Sequence, residues 1–89
     1  MDIPEETVAD LTRRLRKVEG QVRGVQQMLA DSRDCGDVVA QIAAARKALD
    51  HAGFLLVANR IAWCATHPDE ATRDGEGLAD LQRLFMKLA

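Results

Sequence analysis

Aromatic side chains are nearly missing from this 89-residue chain: two Phe, one Trp and no Tyr make up 3% of it. Its 47% hydrophobic content therefore rests on Ala, Leu and Val, a composition that favours helix. Proline is equally scarce. Pro4 and Pro68 both fall outside the periodic stretches and act as punctuation. There are two cysteines, 29 positions apart, with no Cys-x-x-Cys, no strand-rich pattern and no general-base constellation, which excludes a thioredoxin-type oxidoreductase and points away from an enzyme. No run of about 18 apolar residues, no basic-then-apolar leader and no lipidation signal is present, so a cytoplasmic protein without a membrane partner is expected. In such a compartment two thiols are not a structural staple.

A net charge of −2 excludes an evenly positive coat but allows a local basic patch. The length fits one domain, residues 1–89. At this size a chain buries only about 60–65% of its unfolded surface, so association with further copies would supplement a thin core.

Apolar residues Val8, Leu11, Leu15, Val18, Val22, Val25 and Leu29 recur three and four apart and predict a first helix from about residue 4 to 30. The connector Asp31-Ser32-Arg33-Asp34 offers capping oxygens, so a second helix should begin near residues 35–37. Ile42, Leu49, Phe54, Leu55, Leu56, Ile61 and Trp63 point nearly all round this second helix, as in a helix buried all round. It should run to His67-Pro68, where the pre-proline position disfavours helix. Residues 68–77 read as a polar loop. Leu78, Leu81, Leu84, Phe85 and Leu88 then predict one short amphipathic helix. The expected fold is all-α: two long antiparallel helices plus a short C-terminal one.

Residues 13–24 read Arg-Arg-Leu-Arg-Lys-Val-Glu-Gly-Gln-Val-Arg-Gly, five cations and one anion in an acidic chain. At about 100° per residue, Arg13, Arg14, Arg16, Lys17 and Arg23 lie away from the Leu15/Val18/Val22 side and form a basic stripe. Gly20 and Gly24 interrupt it at a cost of roughly 1 kcal/mol each relative to Ala, which suggests a close backbone approach. Arginines there can grip phosphates and Gln21 could add a polar contact. The charges alone leave two readings standing: a nucleic-acid face, or a solvated face with a helix contact at the glycines.

Cys35 and Cys64 fall on one expected helix, so a rise of about 1.5 Å per residue separates them by roughly 43 Å and rules out pairing within the chain. Twenty-nine residues also turn the helix by about eight full turns plus 20°, so the two thiols share a face. A second, antiparallel copy would bring Cys35 of one chain beside Cys64 of the other, twice per symmetric dimer. At a helix start, the dipole and unpaired N–H groups of Cys35 favour the thiolate and hence an attacking role. Arg60, one turn before Cys64, can stabilise anionic sulfur and would repel a metal ion. Two other readings remain: both thiols as small buried hydrophobes, or a soft Cu(I) or Zn site using Cys35, Cys64 and His67.

The run Arg14-Leu15-Arg16-Lys17-Val18-Glu19-Gly20-Gln21-Val22-Arg23-Gly24, with Asp34-Cys35-Gly36-Asp37-Val38-Val39-Ala40-Gln41-Ile42 and then Cys64, resembles the CsoR/RcnR family of bacterial repressors. The resemblance implies an antiparallel helical dimer, a four-helix bundle, that assembles into a disc-like tetramer. It implies operator DNA bound by Arg14, Arg16, Lys17, Gln21 and Arg23, with Arg46 and Lys47 as further candidates. It also implies release by an inducer. Copper-sensing members carry a histidine where this chain has Arg60, so the resemblance is nearer to the persulfide-sensing, CstR-like members. In those, reactive sulfur species bridge the facing thiols and no metal cofactor is needed. Cu(I) sensing is the alternative. Formaldehyde sensing through the N-terminus is a weaker one, because Asp2 rather than Pro follows Met1.

Overall fold

The computed structural model describes residues 3–73 and 77–89, and only the backbone of Leu78. The described residues form four helices and no strand: α1 (Glu5–Ala30), α2 (Cys35–Thr66), α3 (Pro68–Arg73) and α4 (Leu78–Leu88). Among the described residues no helix is long and apolar enough to cross a membrane.

The turn between α1 and α2 follows from local chemistry. Ser32 takes a left-handed φ of 54°. That lets Arg33 N–H reach Met28 O at 2.9 Å and Ser32 N–H reach Leu29 O at 3.2 Å, closing α1 in a Schellman pattern. Asp34 then starts α2 by accepting from Gly36 N–H at 3.0 Å, which places Cys35 at the first helical position, as expected. So short a connector folds α2 back antiparallel to α1. Pro4 and Asp10 of one end consequently line the same cleft as Asn59 and Trp63 of the other.

The expected seam of α1 divides into two rows. Val18 is buried and Leu11 and Val25 are half-buried against α2, as are Arg14, Gln21 and Met28 alongside them. Val8, Leu15, Val22 and Leu29, seven apart, are 43–63% exposed. Alternating steps of three and four trace two adjacent lines, and one neighbouring helix covers only one of them. α2 repeats the pattern. Val38, Ala45 and Ala52 are buried, whereas Val39, Ile42 and Leu49 remain 50–58% exposed. Scattered surface leucines are ordinary, but rows of this length are the kind of apolar surface that marks an interaction face.

Residues 68–73, expected as loop, are helical. Pro68 sits at the first helical position, where its missing N–H costs nothing, and Asp69 and Glu70 follow it at the positive end of the helix. Thr72 Oγ1 donates back to Pro68 O at 2.9 Å. The remaining part of that expected loop, residues 74–76, lies outside the described residues, as does the side chain of Leu78. α4 then begins with Asp80 Oδ2 accepting from Gly77 N–H at 3.1 Å.

α3 and α4 both lie on the C-terminal half of α2. Leu81 and Ala71, each 1% exposed, pack with Cys64 at 5%, and Trp63 and Leu84 flank them. Phe54 and Phe85 meet with ring centroids 5.4 Å apart. At Gly53 a Cβ would stand 2.9 Å from Leu88 Cδ2, so the missing side chain is what lets the end of α4 lie this close.

Candidate sensing site and nucleic-acid interface

α2 is continuous from Cys35 to Thr66, so the two thiols stand at opposite ends of one rod, about 43 Å apart at 1.5 Å per residue. Cys35 is exposed and Cys64 is buried. The face they share is covered unequally. Cys35, Val39, Ile42 and Leu49 run along its open half. Gly53, Val57, Arg60 and Cys64 continue the same stripe at steps of three and four, beneath α4. Periodicity along α2 could place both thiols on one face. It could not show that a second element already lies over one of them.

Arg60 is half-buried, with its guanidinium carbon 4.0 Å from the centroid of Trp63. Such a contact with an indole face stabilises by roughly 0.5–2 kcal/mol and fixes where the charge sits. His67 stacks on the same indole, centroids 4.7 Å apart and planes 8° off parallel. Its Nδ1 lies 3.0 Å from Trp63 O and 2.8 Å from Thr66 Oγ1, so that nitrogen is already engaged by the end of the helix. The sequence reading did not single out Trp63, although Arg60-x-x-Trp63-x-x-x-His67 has the spacing at which helical side chains touch.

Among the described residues no three His, Cys, Asp or Glu side chains come together in a metal-binding group. Cys35, Cys64 and His67 are therefore not assembled by one chain. Two thiols are soft donors suited to Cu(I), but the nearest strong charge to Cys64 along its helix is the cation of Arg60.

The basic segment lies on α1. Arg16, Lys17 and Arg23 are exposed, as are Arg46 and Lys47 on α2. Arg13 is exposed and bonds to Asp10. Arg14 differs from the expected stripe: it is half-buried toward α2, and its Nε donates to Asp10 Oδ2 at 3.0 Å. That bond and the charges of Arg14 and Arg13 hold the Asp10 carboxyl below its ordinary 3.8. Gln21, expected to add a polar contact outside, has its Oε1 buried, with no hydrogen-bond partner among the described residues. The backbone approach expected at the glycines is not made at Gly20, where a Cβ would meet nothing within 4 Å. At Gly24 the neighbour is Gln41 Nε2 at an ordinary 3.6 Å.

The antiparallel helical hairpin, with its exposed cations and two separated thiols, has the form of a small helical regulator. Residues 7–87 match the family described as metal-sensitive transcriptional repressors, and the chain belongs to that family, the CsoR/RcnR repressors. It is 32% identical over 80 residues to the copper-sensing transcriptional repressor CsoR of Bacillus subtilis strain 168, covering 86% of this chain and 76% of that protein. It is 41% identical over 54 residues to the copper-sensing repressor RicR of Mycobacterium tuberculosis H37Rv, covering 61% and 56%. The crystal structure of CsoR with Cu(I) from Geobacillus thermodenitrificans NG80-2 superposes with a TM-score of 0.75. Identity there is 34%, over 99% of this chain and 88% of the other. These relatives are repressors, not enzymes.

Proposed function

We propose that this repressor senses reactive sulfur species through Cys35 and Cys64, and that the sites form between antiparallel protomers of a dimer that assembles further into a tetramer. The exposed apolar rows Val8/Leu15/Val22/Leu29 and Val39/Ile42/Leu49 supply surface for those contacts. Operator DNA is held by the exposed cations Arg16, Lys17 and Arg23, with Arg13, Arg46 and Lys47 as further exposed cations and Arg14 and Gln21 acting from within. The observation that carries the sulfur reading is Arg60: a guanidinium fixed on Trp63, one turn from Cys64, favours an anionic sulfur species over a metal cation.

The chemistry balances without a separate oxidant. The Cys35 thiolate attacks the outer sulfur of a persulfide RS–SH, giving Cys35–S–SH and the thiolate RS−. Cys64 of the partner subunit then attacks the inner sulfur, forming the Cys35–Cys64 disulfide and releasing HS−. The two thiols lose two electrons and the transferred sulfur gains them.

The second reading is Cu(I), favoured by the copper-sensing relatives. Here Cys35 and Cys64 of the partner subunit would hold the ion, with His67 the nearest nitrogen donor. When bound, Cu(I) would tie two protomers together through thiolates, and Arg60 would oppose its charge.

The test is release of the purified protein from its own upstream DNA, followed in parallel with sodium tetrasulfide and with Cu(I). Release by tetrasulfide, with Cys35–Cys64 cross-linked chains in the mass spectrum, supports the sulfur reading. Release by Cu(I) alone, with uncross-linked chains after tetrasulfide, replaces it with the second.

A further inference from the structure

Asp10 stands one turn before Arg13 and Arg14 on α1, and each of its carboxylate oxygens takes one of them. Oδ1 accepts from Arg13 Nη2, and Oδ2 accepts from Arg14 Nε at 3.0 Å. The two arginines are not equivalent. The Arg14 side chain is 38% exposed and lies toward α2, whereas that of Arg13 is 75% exposed. Spacing gives Arg13 two directions to turn: Asp10 lies three residues behind it, and the exposed Arg16 and Lys17 lie three and four ahead. We propose that Asp10 is an intramolecular competitor of DNA, holding Arg13 back from a backbone phosphate that Arg13 would otherwise grip together with Arg16 and Lys17. This rests on the reading of those cations as the operator face.

Guanidinium chemistry supports the exchange. The planar fork suits carboxylate and phosphate alike, so one anion excludes the other from the same nitrogens. The Asp10 carboxyl is held below its ordinary 3.8 by the hydrogen bond from Arg14 and by the charges of both arginines, so it stays ionised, and competes, at neutral pH. An exposed pair of this kind is also weak, because water and salt screen it. A phosphate can therefore displace the carboxylate, and the contact lowers affinity without abolishing binding. The limit acts on the DNA face and not on the thiols, so it is the same whether sulfur or Cu(I) is the inducer.

The test is fluorescence anisotropy of the protein's own upstream duplex across a range of KCl concentrations, with full-length parent, Asp10→Asn, Glu6→Gln and Arg13→Gln proteins. Glu6→Gln removes the same charge from the same helix at an exposed position one turn before Asp10. Asp10→Asn is expected to tighten binding about fivefold and to steepen the log–log salt slope by about 0.9 for each chain that gains a phosphate contact, while Glu6→Gln stays within about twofold of the parent. Loss of an ion pair destabilises the fold, so tighter binding by Asp10→Asn does not come from better folding. In an Arg13→Gln background the Asp10 change should gain no more than Glu6→Gln does. Equal effects of Asp10→Asn and Glu6→Gln, or a gain that survives Arg13→Gln, overturn the proposal. A parent protein that does not bind the duplex at any salt overturns the DNA reading itself, and this competition with it.

Discussion

Replacing Leu81 by Ala tests the contact on which the burial of Cys64 depends. Leu81 is 1% exposed and packs with Ala71 and Cys64 where α4 crosses α2. Truncating a fully buried leucine costs about 2.7–5 kcal/mol, and most of that loss falls on the docking of α4. An isolated helix of eleven residues is marginal in water, so tertiary contact rather than propensity holds α4 in place. At a factor of ten per ~1.4 kcal/mol, a loss of about 3 kcal/mol raises the population with α4 undocked by roughly a hundredfold. The assay is maleimide labelling of reduced protein, with each cysteine quantified by peptide mass. Cys64 labelling should accelerate by at least tenfold in Leu81→Ala, and by less than tenfold in Leu81→Met, since such volume-conserving changes usually cost under ~1.5 kcal/mol. Cys35, already exposed, provides the internal control. If Cys64 labels at the parental rate in Leu81→Ala, or if both thiols accelerate equally, α4 is not what protects it.

Four further outcomes follow from the site. Arg60→His removes a cation and adds a nitrogen one turn from Cys64, so Cu(I) affinity, measured against a colorimetric chelator, should rise at least tenfold; no change would place residue 60 outside any metal site. Charge reversal of Arg16 and Arg23 should abolish operator binding, and neutral Gln at each should lower the log–log salt slope by about one per lost phosphate contact. Asp34→Ala removes the acceptor for Gly36 N–H and should cost about 1 kcal/mol in urea denaturation. Asp10→Asn should destabilise at neutral pH. The Asp10 carboxyl is lowered in the folded chain, so its contribution is present above its unfolded value and is lost as pH falls through the folded value. The gap between variant and parent should therefore close below pH 3.8.

The long helices were legible because their ends carry local chemistry. Asp34 caps α2 where a capping oxygen was expected, and His67-Pro68 stops it. The short α3 was less visible, since Ala71 is its one buried side chain and six residues show little periodicity, although Pro68-Asp69-Glu70 has the composition of a first turn. The division of the α1 seam could not be read from spacing. Leu11, Val18 and Val25 differ from Val8, Leu15 and Val22 only in which row α2 covers, and that depends on the approach angle of another helix. Arg14 is a different case: at about 100° per residue it stands about 40° from Val18, on the side that α2 covers, so the wheel itself sets it apart from the exposed cations, and Gln21 at about 60° goes with it.

The two thiols were legible as a pair on one face but not as unequal partners. The inequality arises from contacts distant in sequence, Leu88 at Gly53 and Leu81 at Cys64, which no local pattern announces. It bears directly on how a bridge between protomers could form. An approaching copy presents an exposed Cys35 along an open apolar face, yet the sulfur it must reach lies under α3 and α4. Reagent therefore meets Cys35 first, and the second bond waits on movement of α4. For the proposed sulfur chemistry, access alone favours Cys35 as the attacking thiol and Cys64 as the resolving one. It also makes the seating of an eleven-residue helix the step that separates a modified thiol from a closed bridge.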